Sequence, residues 1–419
     1  MSDLNSMFHA SCLLTREEER TAFYSSSEKP TIPRRVTHDT PLECLNLNWA
    51  EKGLPEKERT KHVHRLHPYL GKFIPQLVEI FLRKYFEPGQ TILDPFCGSG
   101  TTLVQANELG INSIGYDISA FNVLLSRVKT QKYNVKKARN EIFDALDKLS
   151  QFTQTHDHPT LWKNDFENLD ISTTDNEYLH KWFAPNTLNE LLAYNSLIHN
   201  NRYRYQNLLK IILSRSARSA RLTTHYDLDF PKKPQTEPYK CYKHSRICSP
   251  TEEAFKFIKR YSLDTSRRIE EFSLIRSDAK VKIHHSDSRL ARFPEIDGVI
   301  TSPPYVGLID YHEQHVYAYH LLGLKDRRSA EIGPASKGSS VNARRQYQLN
   351  IARVFQKSVK SMKSGGKLII VAHDSADLYP EIASMCGVEE VATVNRHVNR
   401  RTGRRSSEFF ESIFIWRKP

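Results

Sequence analysis

The residues best equipped for chemistry lie in two short, widely separated stretches of a 419-residue chain. One is Thr301-Ser302-Pro303-Pro304-Tyr305, which follows Asp297-Gly298-Val299-Ile300, an apolar run that reads as a short buried strand ending at a turn. Two consecutive prolines remove two backbone donors and fix two φ angles, so the loop is stiff and its carbonyls point in set directions. A hydroxyl and an aromatic ring bracket that corner. Acceptors for an amino group thus sit beside a flat surface on which a base could stack. Taken alone, the five residues also suit a plain turn.

The other stretch is Thr91-Ile92-Leu93-Asp94-Pro95-Phe96-Cys97-Gly98-Ser99-Gly100-Thr101-Thr102. Apolar residues lead into an acidic residue, then Gly-x-Gly, then a helical pattern. This is a strand, tight turn and helix at the carboxyl end of a parallel strand, where open α/β sheets bind ligands. Gly98 and Gly100 allow close backbone approach. A phosphate-cradling loop would need Gly-Lys-Ser/Thr, and no Lys follows Gly100. A dinucleotide fingerprint wants a third Gly or Ala where Leu103 stands. What remains is a nucleoside-type ligand without a pyrophosphate. The next strand, Ser113-Ile114-Gly115-Tyr116, ends in Asp117, a carboxylate positioned for the two hydroxyls of a ribose.

Together, Asp-Pro-Phe-Cys-Gly-Ser-Gly-Thr-Thr (94–102) and Thr-Ser-Pro-Pro-Tyr (301–305) resemble the S-adenosylmethionine-dependent amino-methyltransferases of DNA. The second motif looks most like the cytosine-N4 branch, since adenine-N6 enzymes more often carry Asp or Asn where Thr301 or Ser302 stands. His67-Pro68-Tyr69-Leu70-Gly71-Lys72-Phe73-Ile74-Pro75 resembles the segment that places an aromatic near the cofactor in that family. The likeness covers residues 60–130 and 280–419. It implies an α/β, Rossmann-like class I methyltransferase fold, with a mostly parallel sheet, an antiparallel C-terminal hairpin and a helical insert.

The implied cofactor is S-adenosyl-L-methionine. Its methionine portion would lie on the turn from Asp94 through Phe96, Cys97, Gly98 and Gly100 to Thr101, its ribose on Asp117. Asp287 would meet the adenine amine, Phe73 and Ile118 the adenine ring, and Thr301 would border the site. The implied reaction is methyl transfer to an exocyclic amine of a base flipped out of double-stranded DNA. Ser302 would hydrogen-bond near the target amine, the Pro303 carbonyl would accept an amine hydrogen, Pro304 would stiffen the corner and Tyr305 would stack on the base. A cognate restriction endonuclease is the candidate protein partner. Adenine N6 is the alternative target, and RNA or tRNA amino methylation comes third. A catalytically silent, DNA-binding subunit is another reading, but the motif residues are all present. Carbon-5 methylation needs a Cys nucleophile, normally in a Pro-Cys element, and the chain has no such dipeptide. Asp310, Tyr311, His312 and His315 lie close to the corner in sequence, and the histidines are expected to contact substrate or to be structural.

Lys and Arg number 61 against 48 Asp and Glu, a net charge of +13 that favours a polyanionic partner. The cysteines are scattered (12, 44, 97, 241, 248, 386) and suit reduced thiols rather than a disulfide framework. Cys241 and Cys248, with His244 between them, fit no usual zinc spacing, so no metal site is expected. With no long apolar run and no signal-peptide pattern, the expected location is cytoplasmic, without membrane contact.

These motifs need elements to hold them. Residues 1–60 read as an N-terminal arm with a little helix near 14–22. Residues 61–132 and 279–419 read as the catalytic domain. Between them, 133–278 shows helical three-to-four spacing and is the candidate target-recognition region. Arg215, Arg218 and Arg221 recur every three residues and would line one helical face, turned either toward phosphates or simply to solvent. Arg401 and Arg404, in the basic turn of the last hairpin, are the other expected DNA contacts.

Overall fold

A computed structural model describes residues 29–50, 52–71, 73–157, 174–229, 231–398 and 409–419; the expected helix near 14–22 and both Arg401 and Arg404 lie outside them. In chain order the elements are α1 (Glu56–Arg59), α2 (Pro75–Tyr85), β1 (Thr91–Asp94), α3 (Thr101–Glu108), β2 (Asn112–Asp117) and α4 (Ala120–Thr130). The helical block follows: α5 (Val135–Asp157), α6 (Glu177–Trp182), α7 (Pro185–Asn200), α8 (Gln206–Ala220), a small hairpin of β3 (Tyr239–Cys241) and β4 (Arg246–Cys248), and α9 (Phe255–Ser273). The chain then returns through β5 (Val281–His285), β6 (Ile296–Thr301), α10 (Tyr311–Gln314), α11 (Val316–Leu322), α12 (Val341–Ser361), β7 (Met362–Ala372), α13 (Tyr379–Cys386), β8 (Glu389–His397) and β9 (Phe410–Arg417).

Seven strands form one sheet in the order β5-β2-β1-β6-β7-β9-β8. The first five are mutually parallel, and β9 runs antiparallel to both β7 and β8. This is the Rossmann-like class I methyltransferase fold expected from the motifs. From β1 the chain moves outward through β2 to β5, then crosses back to lay β6 on the other side of β1. The order reverses between β1 and β6, which is where a crevice opens at the carboxyl ends of the strands.

Helices cover both faces. Pro75, pre-set for a first helical turn, starts α2, whose Leu77 and Phe81 join Ile92, Ile300 and Ile369 in one core. On the opposite face, Ile351 and Phe355 of α12 and Ile382 of α13 pack with Leu93, Val299 and Leu368. Ser119 caps α4 by accepting from the Asn122 amide at 3.2 Å.

The helical block does not stand apart. Phe121 and Leu125 of α4 and Tyr317 of α11 share one continuous core with Ile142 of α5, Leu191 of α7, Leu209 of α8 and Ile269 of α9. The three arginines of α8 and its end are drawn into this packing. Arg215 donates to Asp264 at 2.7 Å and lies 4.2 Å over the Tyr261 ring. Arg218 pairs closely with Asp229, while Arg221, only 2% exposed, lies over Tyr317 and donates to the Leu228 carbonyl. The expectation of an open, phosphate-gripping face is corrected on this point. Small residues at Ser214, Ser216, Ala217 and Ala220 let neighbouring elements close over the guanidinium groups, where carboxylates and aromatic rings neutralise them.

Candidate active site

Asp94 ends β1 and is fully buried; Thr301, at the end of the adjacent β6, donates to its Oδ1 at 2.7 Å, and the Phe96 amide donates to the same oxygen at 3.1 Å. The two motifs, 207 residues apart at this contact, are thereby joined side chain to side chain. Beyond Asp94 the chain turns sharply, with Gly98 and Gly100 at φ of +48° and +78°. A Cβ on Gly100 would also stand 2.9 Å from Ser126 Oγ, so both conformation and space call for glycine there.

The turn is clamped from two sides. The Gly98 amide donates to Asp117 Oδ2 at 2.8 Å, and Ser126 donates to the Gly98 carbonyl at 2.7 Å. The other oxygen of Asp117 accepts from the Ser119 amide at 2.8 Å and from Asn122 at 3.1 Å. Asn122 also donates to the Tyr69 hydroxyl at 3.1 Å, which brings the 67–75 segment to the site. Burial lifts the Asp94 and Asp117 carboxyls to about 6. It also pushes the Cys97 thiol well up, which keeps it protonated and a poor nucleophile.

Around this turn lies a pocket with about 790 Å³ of space, open solvent at its mouth included. Of the residues expected from sequence, Phe73, Phe96, Cys97, Gly98, Thr101, Asp117, Ile118, Asp287, Ser302 and Pro304 line it together. Asp94, Gly100, Thr301, Pro303 and Tyr305 are not part of the lining; the first three form the frame just described. At the rim, burial alone would raise the Asp287 carboxyl, but hydrogen bonds from Arg289 outweigh it and hold the group low.

Tyr305 departs from its expected posture. It is buried, with its ring beside His373 and Phe409, and its hydroxyl donates to Glu411 Oε1 at 2.8 Å. Glu411 in turn holds Arg396 at 2.8 and 2.5 Å, so the proline corner is tied to the β8–β9 edge. The ring braces the corner and does not present an open face to a base. His315 is buried, and burial first, then Arg218 and Arg221, lower its pKa to about 3, so it stays neutral. His312 packs on Glu331, which accepts from its backbone amide at 3.0 Å.

Sequence reasoning did not single out Tyr69, Asn122 or Glu331, which line the pocket together with Tyr311, a residue noted for its closeness to the proline corner in sequence. Tyr69 lay inside a quoted motif, and Asn122 one helical turn beyond Asp117. Glu331 comes from an irregular loop with no periodic signal. The fold also brings His225, which the sequence does not connect to them, to Cys241, His244 and Cys248.

A family described as DNA methylase matches residues 16–127, and one described as an RMKL-like methyltransferase domain matches 81–175. The chain is 40% identical to the type II methyltransferase M.MjaII of Methanocaldococcus jannaschii, over 88% of this chain and 83% of that protein. The chain belongs to the type II DNA methyltransferases. It is also 26% identical to the type II methyltransferase M.BsoBI of Geobacillus stearothermophilus, over 68% of this chain and 58% of that protein. Among solved structures it is similar to the rRNA methyltransferase aviRa of Streptomyces viridochromogenes, at 12% identity and a TM-score of 0.31, covering 84% of this chain and 89% of that one.

The methyltransferase uses S-adenosylmethionine, and the pocket's chemistry fits that molecule. Ser99 Oγ and Thr101 Oγ1 are buried hydroxyls with no hydrogen-bond partner among the described residues, at the start of α3. Asp117, Asp287 and Glu331 put three carboxylates around the pocket of a basic protein, which suits a ligand carrying a sulfonium and an ammonium. Phe73, Phe96 and Ile118 supply apolar walls for a purine.

Proposed function

We propose that the chain is a site-specific DNA methyltransferase that modifies the exocyclic N4 amine of cytosine, as the modification partner of a restriction endonuclease. The observation that carries this reading is the joining of Ser302 and Pro304, from the sequence Thr-Ser-Pro-Pro-Tyr, to Asp117 and Gly98 in one pocket. The type II methyltransferase relatives support the restriction–modification setting.

In a duplex the target amine is hidden by base pairing, so the base must leave the stack first. The Ser302 hydroxyl and the Pro303 carbonyl would accept hydrogens from that amine. Drawing them out of the ring plane weakens conjugation and frees the nitrogen lone pair to attack. Pro304 and the buried Tyr305 hold these acceptors still; Tyr305 does so through Glu411 rather than by stacking. S-adenosylmethionine supplies a methyl group already activated by its positive sulfur. No strong base is needed, because the amine sheds its proton after attack. Positioning and fixed dipoles then provide most of the acceleration.

Plasmid DNA from a methylation-free host expressing the chain, digested to nucleosides, should contain N4-methylcytosine at a recurring sequence. Only N6-methyladenine would overturn the cytosine assignment. Unmodified DNA from a protein that still binds the cofactor would favour a silent subunit.

A further inference from the structure

We propose that His225, Cys241, His244 and Cys248 form a tetrahedral zinc site that staples the β3–β4 hairpin to the chain leaving α8. One ligand atom from each of these side chains lies within 4.8 Å of all the others. Cys241 Sγ is 3.5 Å from His225 Nδ1 and 3.6 Å from His244 Nδ1, and Cys248 Sγ is 3.5 Å from His244 Nδ1. Zinc bound at about 2.3 Å from sulfur and about 2.0–2.1 Å from nitrogen, at the tetrahedral angle, separates the two ligand atoms by about 3.5 Å. The three sulfur–nitrogen distances match that spacing.

Ordinary hydrogen bonding does not account for the cluster. An imidazole nitrogen carries one hydrogen or one lone pair, yet His244 Nδ1 faces two sulfurs at nearly equal distance. A shared ion between them satisfies both. On binding, His225 Nδ1 exchanges the Tyr239 hydroxyl, 3.0 Å away, for the metal, and that hydroxyl keeps the His225 backbone amide it accepts from at 3.3 Å. The two thiols release their protons to solvent, and the resulting thiolates balance the charge of a divalent ion.

Among the described residues the hairpin has little support beyond the cluster and the Tyr239–His225 contacts. Its pairing places Cys241 opposite Arg246 and Cys248 opposite Tyr239, so both cysteines share one face. From 236 to 250 only these two cysteines are buried, while Tyr242 and Ile247 are 78% and 67% exposed. Two three-residue strands with no apolar core are marginal by themselves, and small units of this kind are commonly held by a metal. Ser245, a non-glycine residue at φ +53°, adds strain that the turn must absorb. The four ligands come as one residue five positions after α8 and three within a single hairpin, which is a structural arrangement with no open position for catalysis.

The full-length chain, purified without added metal, should contain about one equivalent of zinc by elemental mass spectrometry. The Cys241→Ser/Cys248→Ser variant should lose at least tenfold of that content, and Cys386→Ser should keep it. If the double variant does not fold, the unaltered protein decides alone. After removal of zinc, Co2+ should give the intense visible bands of a tetrahedral thiolate–imidazole site, and two further thiols should become reactive to a thiol reagent. A chain that is metal-free as purified and gives only octahedral Co2+ spectra would sink the proposal. Zinc retained in full by a folded double variant would also sink it.

Discussion

Asp117 shows how a single carboxylate couples the cofactor turn to solution pH. Its ordinary pKa is near 4, and burial lifts it to about 6 in the folded protein. The folded state therefore holds this proton more tightly than the unfolded chain does. For this group alone, stability is greatest at low pH and is lost as pH rises through about 6. With the ribose on Asp117, as proposed, cofactor binding would run the other way, because ribose hydroxyls would donate to the ionised carboxylate and the sulfonium would favour the negative charge. Affinity for S-adenosylmethionine, followed by calorimetry, should fall as pH drops below about 6, and Asp117→Asn should flatten that dependence while weakening binding at neutral pH. A wild-type curve level from pH 5 to 8 would contradict this assignment of the ribose. Ser302→Ala should lower turnover about 10- to 100-fold, the worth of one hydrogen bond made at the reacting amine, with cofactor affinity nearly unchanged. At this scale the sequence was most legible where chemistry demands a residue type at a fixed turn, as with Gly98, Gly100 and Asp117. It was least legible for Glu331, whose place depends on how a loop folds back from far along the chain.

An element's period told where helices run but not which side they show to solvent. The Arg215, Arg218 and Arg221 spacing is consistent with a basic face, yet α8 is enclosed by α4, α7, α9 and α11, so the guanidinium groups became internal partners. The consequence is measurable. Arg215→Ala leaves Asp264 with Arg267 and Arg268 alone and should cost about 1.5–3 kcal/mol of stability in urea unfolding. Affinity for DNA, measured on the folded fraction, should change little. The β8–β9 edge gives a parallel case. Glu411→Gln removes the charge that holds Arg396 and weakens the bond to Tyr305, so it should loosen the proline corner. Turnover should fall more than the melting temperature alone would suggest, and restoration of full activity at low temperature would argue that the corner was never displaced. The helices and parallel strands themselves followed the apolar spacing, because burial on one or both faces dictates that spacing directly.

Over the whole molecule, a net charge of +13 sets the terms of any encounter with a polyanion. If phosphate neutralisation drives binding, the logarithm of DNA affinity should decline linearly with the logarithm of salt, by about a thousandfold between about 50 and 200 mM for six or more contacts. A salt-insensitive affinity would shift the weight to base contacts. No helix among the described residues is long and apolar enough to cross a membrane. The boundary expected between catalytic domain and helical insert is visible in sequence as a change of period, but α4 and α11 share one core with the insert. Only packing could reveal that continuity. The same sheet carries a lesson about gene architecture. Asp94 and Thr301 meet because β1 and β6 are parallel neighbours, each delivering its turn to the same edge. Neither strand needs to come first for that meeting to occur. A rearranged gene encoding the proline corner before the glycine turn would rebuild the same pocket, provided its new ends fell in surface loops, so the linear order of these motifs records ancestry and not mechanism.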